Sequence, residues 1–262
     1  MAQPLLIDRA GPVLRLRLNR PQLHNAFDAA LIAALTSALD VAGRDPDARV
    51  VVLEGEGPSF SAGADLQWMR GMAAASEDEN REDALALARL MRTLDELPRP
   101  TVARVHGPAF GGGVGLVACC DIAIGTPQAR FGLTESRLGL LPAVISPYVI
   151  AAIGPRQARR WFATAETFDA DTALQLGLLH QVVAADALDD AVAAQVALLC
   201  RAAPQAAAMA KVLVRRACGD DDAPARDRGN AALIARLRVS PEGQEGIGAF
   251  LEKRAPAWAP RE

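Results

Sequence analysis

An α/β fold built on parallel strands is what the sequence predicts, and three observations predict it. Strand patterns alternate with helical ones through the N-terminal part of the chain. The run Arg49–Glu54, RVVVLE, is apolar almost throughout, as a strand covered on both faces is. The connections between strands are long enough for crossovers rather than hairpins.

In order along the chain, Leu14–Leu18 reads L-R-L-R-L, a strict period of two and hence a half-buried strand. Asn25 and Asp28 offer caps ahead of Phe27, Leu31, Leu35 and Leu39, apolar at helical spacing. After the Arg49–Glu54 strand, a second helix is expected over roughly Glu79–Leu97, with Leu87, Leu90, Met91, Leu94 and Leu97 on one face. It stops at Pro98-Arg99-Pro100, and Thr101–Val105 reads as the next strand. Short extended pieces follow at Asp121–Gly125 and Ala129–Gly132. From Pro155 the pattern becomes helical: Pro155–Ala163, Asp186–Ala203, Pro204–Ala217 and Ala225–Val239, with Ser240-Pro241 opening a last helix through Lys253. Gly219–Arg228 is expected to be a flexible loop. The division expected is a core over 1–195 and a helical region over 196–262.

The chain has 262 residues and a formal net charge of −3, which gives no reason to expect nucleic acid or an anionic membrane as partner. The N-terminus MAQPLLIDRA lacks the pattern of a signal peptide, and no apolar run is long enough to span a membrane, so a cytoplasmic protein is expected. Cys119, Cys120, Cys200 and Cys218 show neither CxxC spacing nor histidine neighbours, so neither a metal site nor a disulfide framework is expected.

The stretch AFGGGVGLVACCD, Ala109–Asp121, spends four glycines where a helix is about to begin, although each costs about 1 kcal/mol relative to alanine. A phosphate cradle, a tight packing joint and a backbone site for negative charge all need such glycines. Gly113-x-Gly115-x-x-Ala118 fits a relaxed dinucleotide fingerprint with Glu135 downstream, but His106-Gly107-Pro108-Ala109-Phe110 separates the strand from the glycines. No Lys-Ser/Thr follows, which excludes a P-loop. A second small-residue turn, Phe60-Ser61-Ala62-Gly63-Ala64-Asp65-Leu66, also follows a strand. Two such turns at adjacent strand ends can point backbone N–H groups into one crevice, the requirement for holding a developing oxyanion.

Asn19-Arg20-Pro21…Asn25-Ala26, FSAGADL, HGPAFGGGVGL with its following CCD, FGLTESRLGL and the terminal EGIGAFLEKRAPAW resemble, in order and spacing, the crotonase (enoyl-CoA hydratase/isomerase) superfamily. The resemblance covers essentially the whole chain. It implies a crotonase-like ββα spiral core with a C-terminal helical trimerisation region, acting on an acyl-CoA as a homotrimer or dimer of trimers. No cofactor is implied, coenzyme A being carried by the substrate.

By motif register the resemblance places the two oxyanion N–H groups on Ala64 and Gly112. Ser61, Ala62, Asp65, Leu66, Gln67 and Gly111 fall along the CoA path, and Lys253, with Arg254, near the CoA phosphates. Of the two glutamates that hold water in the usual hydratase, the second matches Glu135, whereas the first falls on Gly115. An enoyl-CoA hydratase, adding water to an α,β-unsaturated acyl-CoA, is the leading reading, and that departure keeps a Δ3,Δ2-enoyl-CoA isomerase, which needs only one carboxylate, as the alternative; Ser136, Arg137, Ser146 and Tyr148 remain as groups to orient water. The segment Arg137–Tyr148, together with Ala64–Met69, is similar to the methylglutaconyl-CoA and isohexenylglutaconyl-CoA hydratases, in which case Arg137 pairs with a substrate carboxylate. Asp121 and His106 are expected to be structural. A CoA- or RNA-binding relative without catalysis is the reading from another class, and the acidic balance argues against RNA; a serine hydrolase is disfavoured because His24, His106 and His180 have no GxSxG partner.

Overall fold

The computed structural model describes residues 3–219 and 222–259. Strand β1 (Leu5–Ala10) turns at Gly11, whose φ of +57° suits glycine, into β2 (Val13–Leu18), and the two pair antiparallel. β3 (Val50–Gly55), β4 (Thr101–Val105), β6 (Ile122–Gly125) and β9 (Gln181–Val182) then add in parallel, giving the order β1-β2-β3-β4-β6-β9. Strands β5 (Ala109–Phe110), β7 (Arg130–Gly132) and β8 (Thr167–Asp169) make a smaller sheet beside it, β5 and β7 parallel, β7 and β8 antiparallel.

The alternation in β2 puts Leu14, Leu16 and Leu18 inside and leaves Arg15 and Arg17 half-buried. In β3 the uninterrupted apolar run serves two cores. Val51 and Leu53 face the main core with helices α1 (Ala29–Arg44) and α3 (Glu77–Asp95). Val50 and Val52 face a second core with Val102, Ile124 and Leu188 and Val192 of α7 (Leu188–Arg201). Each such side chain contributes about 1.5–3 kcal/mol on burial.

Helix boundaries follow their caps. The Asp28 carboxylate accepts from the Leu31 N–H and opens α1. Ser76 and Glu79 form a capping box that starts α3 at Glu77 rather than Glu79, and α3 ends at Asp95. Helix α5 runs Ser146–Thr164 with a break at Gly154, φ +77°; the expected start at Pro155 is that break, and the sequence reading missed the piece before it. It also missed β1, whose LLIDRA does not alternate, and β8, α2 (Leu66–Ala74) and α6 (Ala170–Leu176), too short for periodicity to register.

Helices α8 (Pro204–Ala217), α9 (Ala223–Val239) and α10 (Pro241–Leu251) form the C-terminal end. The expected loop over Gly219–Arg228 is corrected: residues 220–221 lie outside the described residues, but Asp222 caps α9 through the Ala225 N–H and 223–228 is helical. The last helix stops at Leu251, two residues short of the expected Lys253. Arg49 fastens this end to the sheet, donating to the carbonyl oxygens of Cys200 (3.1 Å), Ala202 (2.6 Å) and Trp258 (3.3 Å). Among the described residues no single helix is long and apolar enough to cross a membrane.

Candidate active site

Two loops leave adjacent parallel strands and are laced to each other. From β3 the chain runs into Ser59–Asp65, and from β4 through Gly107 into β5. The Ser61 N–H donates to Pro108 O (3.1 Å), and the Phe110 N–H donates back to Ser61 O (2.9 Å). Within the first loop burial alternates: Ser61, Gly63 and Asp65 point inward, while Ala62, Ala64 and Leu66 are exposed. The loop is therefore an extended piece with one anchored and one open edge.

Its anchor is the turn over residues 20–28. The Ala62 N–H donates to His24 O (2.8 Å), Phe27 N–H to Gly63 O (2.6 Å) and Asp65 N–H to Phe27 O (2.8 Å). The fully buried Asn25 side chain accepts from the Arg20 N–H and donates to Glu56 O and Ser59 O, all within 2.8–2.9 Å. The Ser61 hydroxyl donates to Asn25 O at 2.9 Å. Asn25 needs φ +55° to do this, a conformation asparagine tolerates better than most residues. The Asp65 carboxylate caps α2 through the Gln67 and Trp68 N–H groups and meets Arg20 Nη2 at 3.0 Å. Burial pushes the Asp65 carboxyl up, but those N–H groups and the guanidinium outweigh it and hold it below its usual range.

The second loop holds Gly111 at φ 48°, ψ −119°, a backbone state that only glycine adopts readily, and α4 (Gly112–Cys119) starts immediately after it with no side-chain cap. Its first N–H groups are the unpaired donors of a helix start. Among the described residues no acceptor takes the Ala64 or the Gly112 N–H. The glycines are required by contact: a Cβ on Gly63 would stand 2.8 Å from Phe110 O, one on Gly112 2.8 Å from Phe27 Cδ2, and one on Gly113 3.0 Å from Ser61 Cβ.

Glu135 completes the cluster. It opens a 3-10 turn, Glu135–Leu138, after β7, and a Cβ on Gly111 would lie 3.0 Å from its Oε1 and 4.0 Å from Gly63 Cα. Its Oε2 is buried without a hydrogen-bond partner. Burial pushes the carboxyl above its usual range, moderated by a hydrogen bond from its own N–H. Gly63, Gly111 and Glu135 thus converge on one point: a carboxyl raised by burial, beside a turn and a helix start that carry free backbone N–H groups.

Against this geometry, the family model described as enoyl-CoA hydratase/isomerase matches residues 8–261. The chain belongs to the enoyl-CoA hydratase/isomerase family. It is similar to a crystal structure of an enoyl-CoA hydratase from Shewanella pealeana ATCC 700345, with a TM-score of 0.95 and 44% identity over 97% of this chain and 96% of that one. It is 34% identical to an enoyl-CoA hydratase of Alternaria alternata, over 94% of this chain and 80% of the relative. It is 32% identical to the 2,3-dehydroadipyl-CoA hydratase of Escherichia coli (strain K12), over 98% of this chain and 99% of the relative. The fold is therefore the crotonase spiral of this enzyme family.

Within this hydratase/isomerase fold the other residues singled out from sequence lie as follows. Ala62, Leu66 and Gln67 are exposed beside the site, whereas the Ser61 and Asp65 side chains are turned into the fold. Arg137 is exposed and has no ion-pair partner among the described residues. Lys253 lies exposed beyond α10 with φ +55°, while its neighbour Arg254 is engaged by Glu245 (2.7 Å) and Glu252 (2.7 Å). The Ser146 hydroxyl donates to Ala143 O, and the Ser136 hydroxyl is buried without a partner. Tyr148 sits toward Asp95 and Cys119, at the other end of α4, where burial pushes it up to about 12. Asp121 accepts from Thr101 N–H and Oγ1 and pairs with Lys211 at 3.0 Å, and His106 Nε2 donates to Gly57 O at 2.9 Å, so both hold the fold.

Beside Gly115 the structure adds Ile145, to which no sequence pattern gave a role, and Met91, legible only as part of the apolar face of α3. A Cβ on Gly115 would lie 2.9 Å from Ile145 Cβ and 3.2 Å from Met91 Cε, so hydrocarbon fills that position. A separate cleft of about 390 Å³ is walled by Arg15, Arg17, Glu54, Glu56, Arg104 and Asp189, which pair with one another, and none of the site residues lines it.

Proposed function

We propose that this chain is an enoyl-CoA hydratase whose thioester oxygen is held by the Ala64 and Gly112 N–H groups while Glu135 carries the proton. The observation that carries the reading is the half-buried Glu135 carboxyl, its Oε2 buried and unpartnered among the described residues, set against Gly111 beside the Gly63–Ala64 turn. Electron density pushed onto the thioester oxygen makes Cβ electrophilic. Water adds its oxygen to Cβ, gives a proton to the Glu135 carboxylate, and the resulting enolate takes a proton from the carboxyl at Cα. The enolate charge rests on the two backbone donors and the N-terminal end of α4. Coenzyme A runs along Ala62, Leu66, Gln67 and Gly111, toward Lys253; Ser61 and Asp65, whose side chains and N–H groups are both engaged within the fold, shape the loop that carries this path. Arg137, exposed and without an acidic partner among the described residues, fits a second carboxylate on a branched glutaconyl-type substrate.

A second reading rests on Gly115. With hydrocarbon where another acid/base group would stand, one carboxyl moving a proton from Cα to Cγ of a 3-enoyl-CoA gives a Δ3,Δ2-enoyl-CoA isomerase. Steady-state assay with crotonyl-CoA, 3-methylglutaconyl-CoA and a 3-enoyl-CoA, wild type beside Glu135→Gln, separates the two. Product mass reports added water, and loss or gain of conjugated-thioester absorbance reports the direction. Activity unchanged in the variant would take the role away from Glu135.

The helical region over 196–262 is proposed as the trimerisation region. In support, α8 buries no residue, α9 buries Leu233 and α10 Ala249 within one chain, while Val239, Phe250 and Leu251 are 77%, 82% and 73% exposed. Light scattering giving three times the chain mass, or six for a dimer of trimers, is the expected result. A reducing cytoplasmic setting fits the four free cysteines.

A further inference from the structure

Gly111 lies one helical turn before Gly115, whose N–H donates to Gly111 O at 3.2 Å, about 6 Å away along the axis. One connection covers both: Glu135, at its beginning, lies against Gly111, and Ile145, at its end, lies against Gly115. Ile145 is 2% exposed, and Met91 of α3, fully buried, closes the third side. Side chains on a helix lean toward its N-terminus, so a carboxylate borne at 115 would reach back toward Gly111 and hence toward Glu135. Ile145 meets such a side chain at its root, with its rigid branch point 2.9 Å from where a Cβ at 115 would be, not with the tip of a flexible chain.

We infer that Ile145 is the specificity-determining residue that keeps this site on one carboxyl, and so sets the ratio of proton exchange at Cα to water addition at Cβ. The inference rests on the proposed role of Glu135. By filling the space one turn below Gly111 with hydrocarbon, Ile145 denies it both to a second acid/base side chain and to a bound water. Water addition then depends on a water held by Glu135 alone, while proton transfer between substrate carbons proceeds unaided. Gly115 is a glycine because Ile145 is there; the pair is one packing unit.

The test is a cycle of wild type, Ile145→Ala, Gly115→Glu and the double variant. It reads thermal melting, hydration of crotonyl-CoA by mass, and exchange of the Cα proton of a saturated acyl-CoA into deuterated water. Gly115→Glu alone is expected to melt well below wild type, and the double variant to melt near Ile145→Ala. The hydration-to-exchange ratio is expected to rise in Ile145→Ala, which opens room for a water, and to rise by about tenfold or more in the double variant. An unchanged ratio in folded Ile145→Ala overturns the inference. So does Gly115→Glu melting like wild type. If the double variant does not fold, Gly115→Ala with and without Ile145→Ala measures the same packing unit, and no coupling between them in melting overturns it. Glu135→Gln in each background reads the underlying assignment separately: it abolishes both rates if Glu135 is the proton carrier, whatever the ratio does.

Discussion

Arg20 and Asp65, 45 residues apart in the chain, meet at 3.0 Å, and this contact ties the turn over residues 20–28 to the end of the Ala64 loop. The same guanidinium pairs with Asp28 at 2.9 Å and donates to Ala26 O, so one partly buried side chain holds the cap of α1 and the cap of α2 together. Arg20→Ala is expected to lower stability by about 2 kcal/mol. Because the folded Asp65 carboxyl lies below its usual range, its contribution is present above the ordinary aspartate value and is lost as pH falls through the folded value. Without Arg20 the folded value moves up toward the ordinary one, so the variant starts less stable at neutral pH and loses less on acidification. Melting curves from neutral pH downward should therefore converge, and a difference that stays constant with pH would contradict this.

Glu135 works in the opposite sense. Burial raises its carboxyl, so its contribution is fully present below the ordinary glutamate value and is lost as pH rises through the raised folded value. Glu135→Gln is expected to lose about 10²–10⁴-fold in kcat while losing less stability than wild type between acidic and neutral pH. The wild-type rate limb for proton abstraction should rise through a value above the usual glutamate range. Paired pH–rate and pH–melting profiles on the two proteins check both.

Gly63→Ala tests the joint between the two loops. At φ +83°, with Phe110 O 2.8 Å from the added Cβ, the variant must strain the turn or part it from β5. The expected cost is about 1–3 kcal/mol in stability. Because Ala64 shifts with the turn, kcat should fall by about a hundredfold, the scale of losing one oxyanion donor. A variant that loses stability with kcat intact would place the oxyanion elsewhere.

Helix α2 buries no residue of its own and is held by side-chain bonds. Trp68 Nε1 donates to Asp83 at 3.2 Å, and Asn80 Nδ2 donates to Met72 O at 2.8 Å. Trp68→Phe keeps the ring and removes the bond. It is expected to raise KM by roughly fivefold, about 1 kcal/mol, with kcat little changed. Steady-state kinetics at saturating and subsaturating substrate separate the two; a fall in kcat alone would mean that α2 shapes the chemistry rather than the binding.

The parallel sheet could be read from sequence because β3 is apolar on both faces and β2 alternates, patterns with few other meanings. The glycine run and the FSAGADL turn were equally legible as backbone sites, since glycine and alanine at strand ends serve close approach and little else. Local sequence also set the caps at Asp28, Ser76 and Ser240. Short pieces such as β8 and α6 were not legible, because three to seven residues carry too little periodicity and form only where a neighbour pairs or covers them.

What the sequence by itself determined is the order of the elements, the two glycine turns and one glutamate in family register. The tertiary structure alone decided what each turn touches. Arg20 reaching Asp65, Glu135 lying over Gly111 and Ile145 closing the space at Gly115 are contacts between segments that no local pattern relates. Burial, which raises the Glu135 carboxyl and makes Gly115 intolerant of a side chain, belongs to the packed chain and to no single stretch of it.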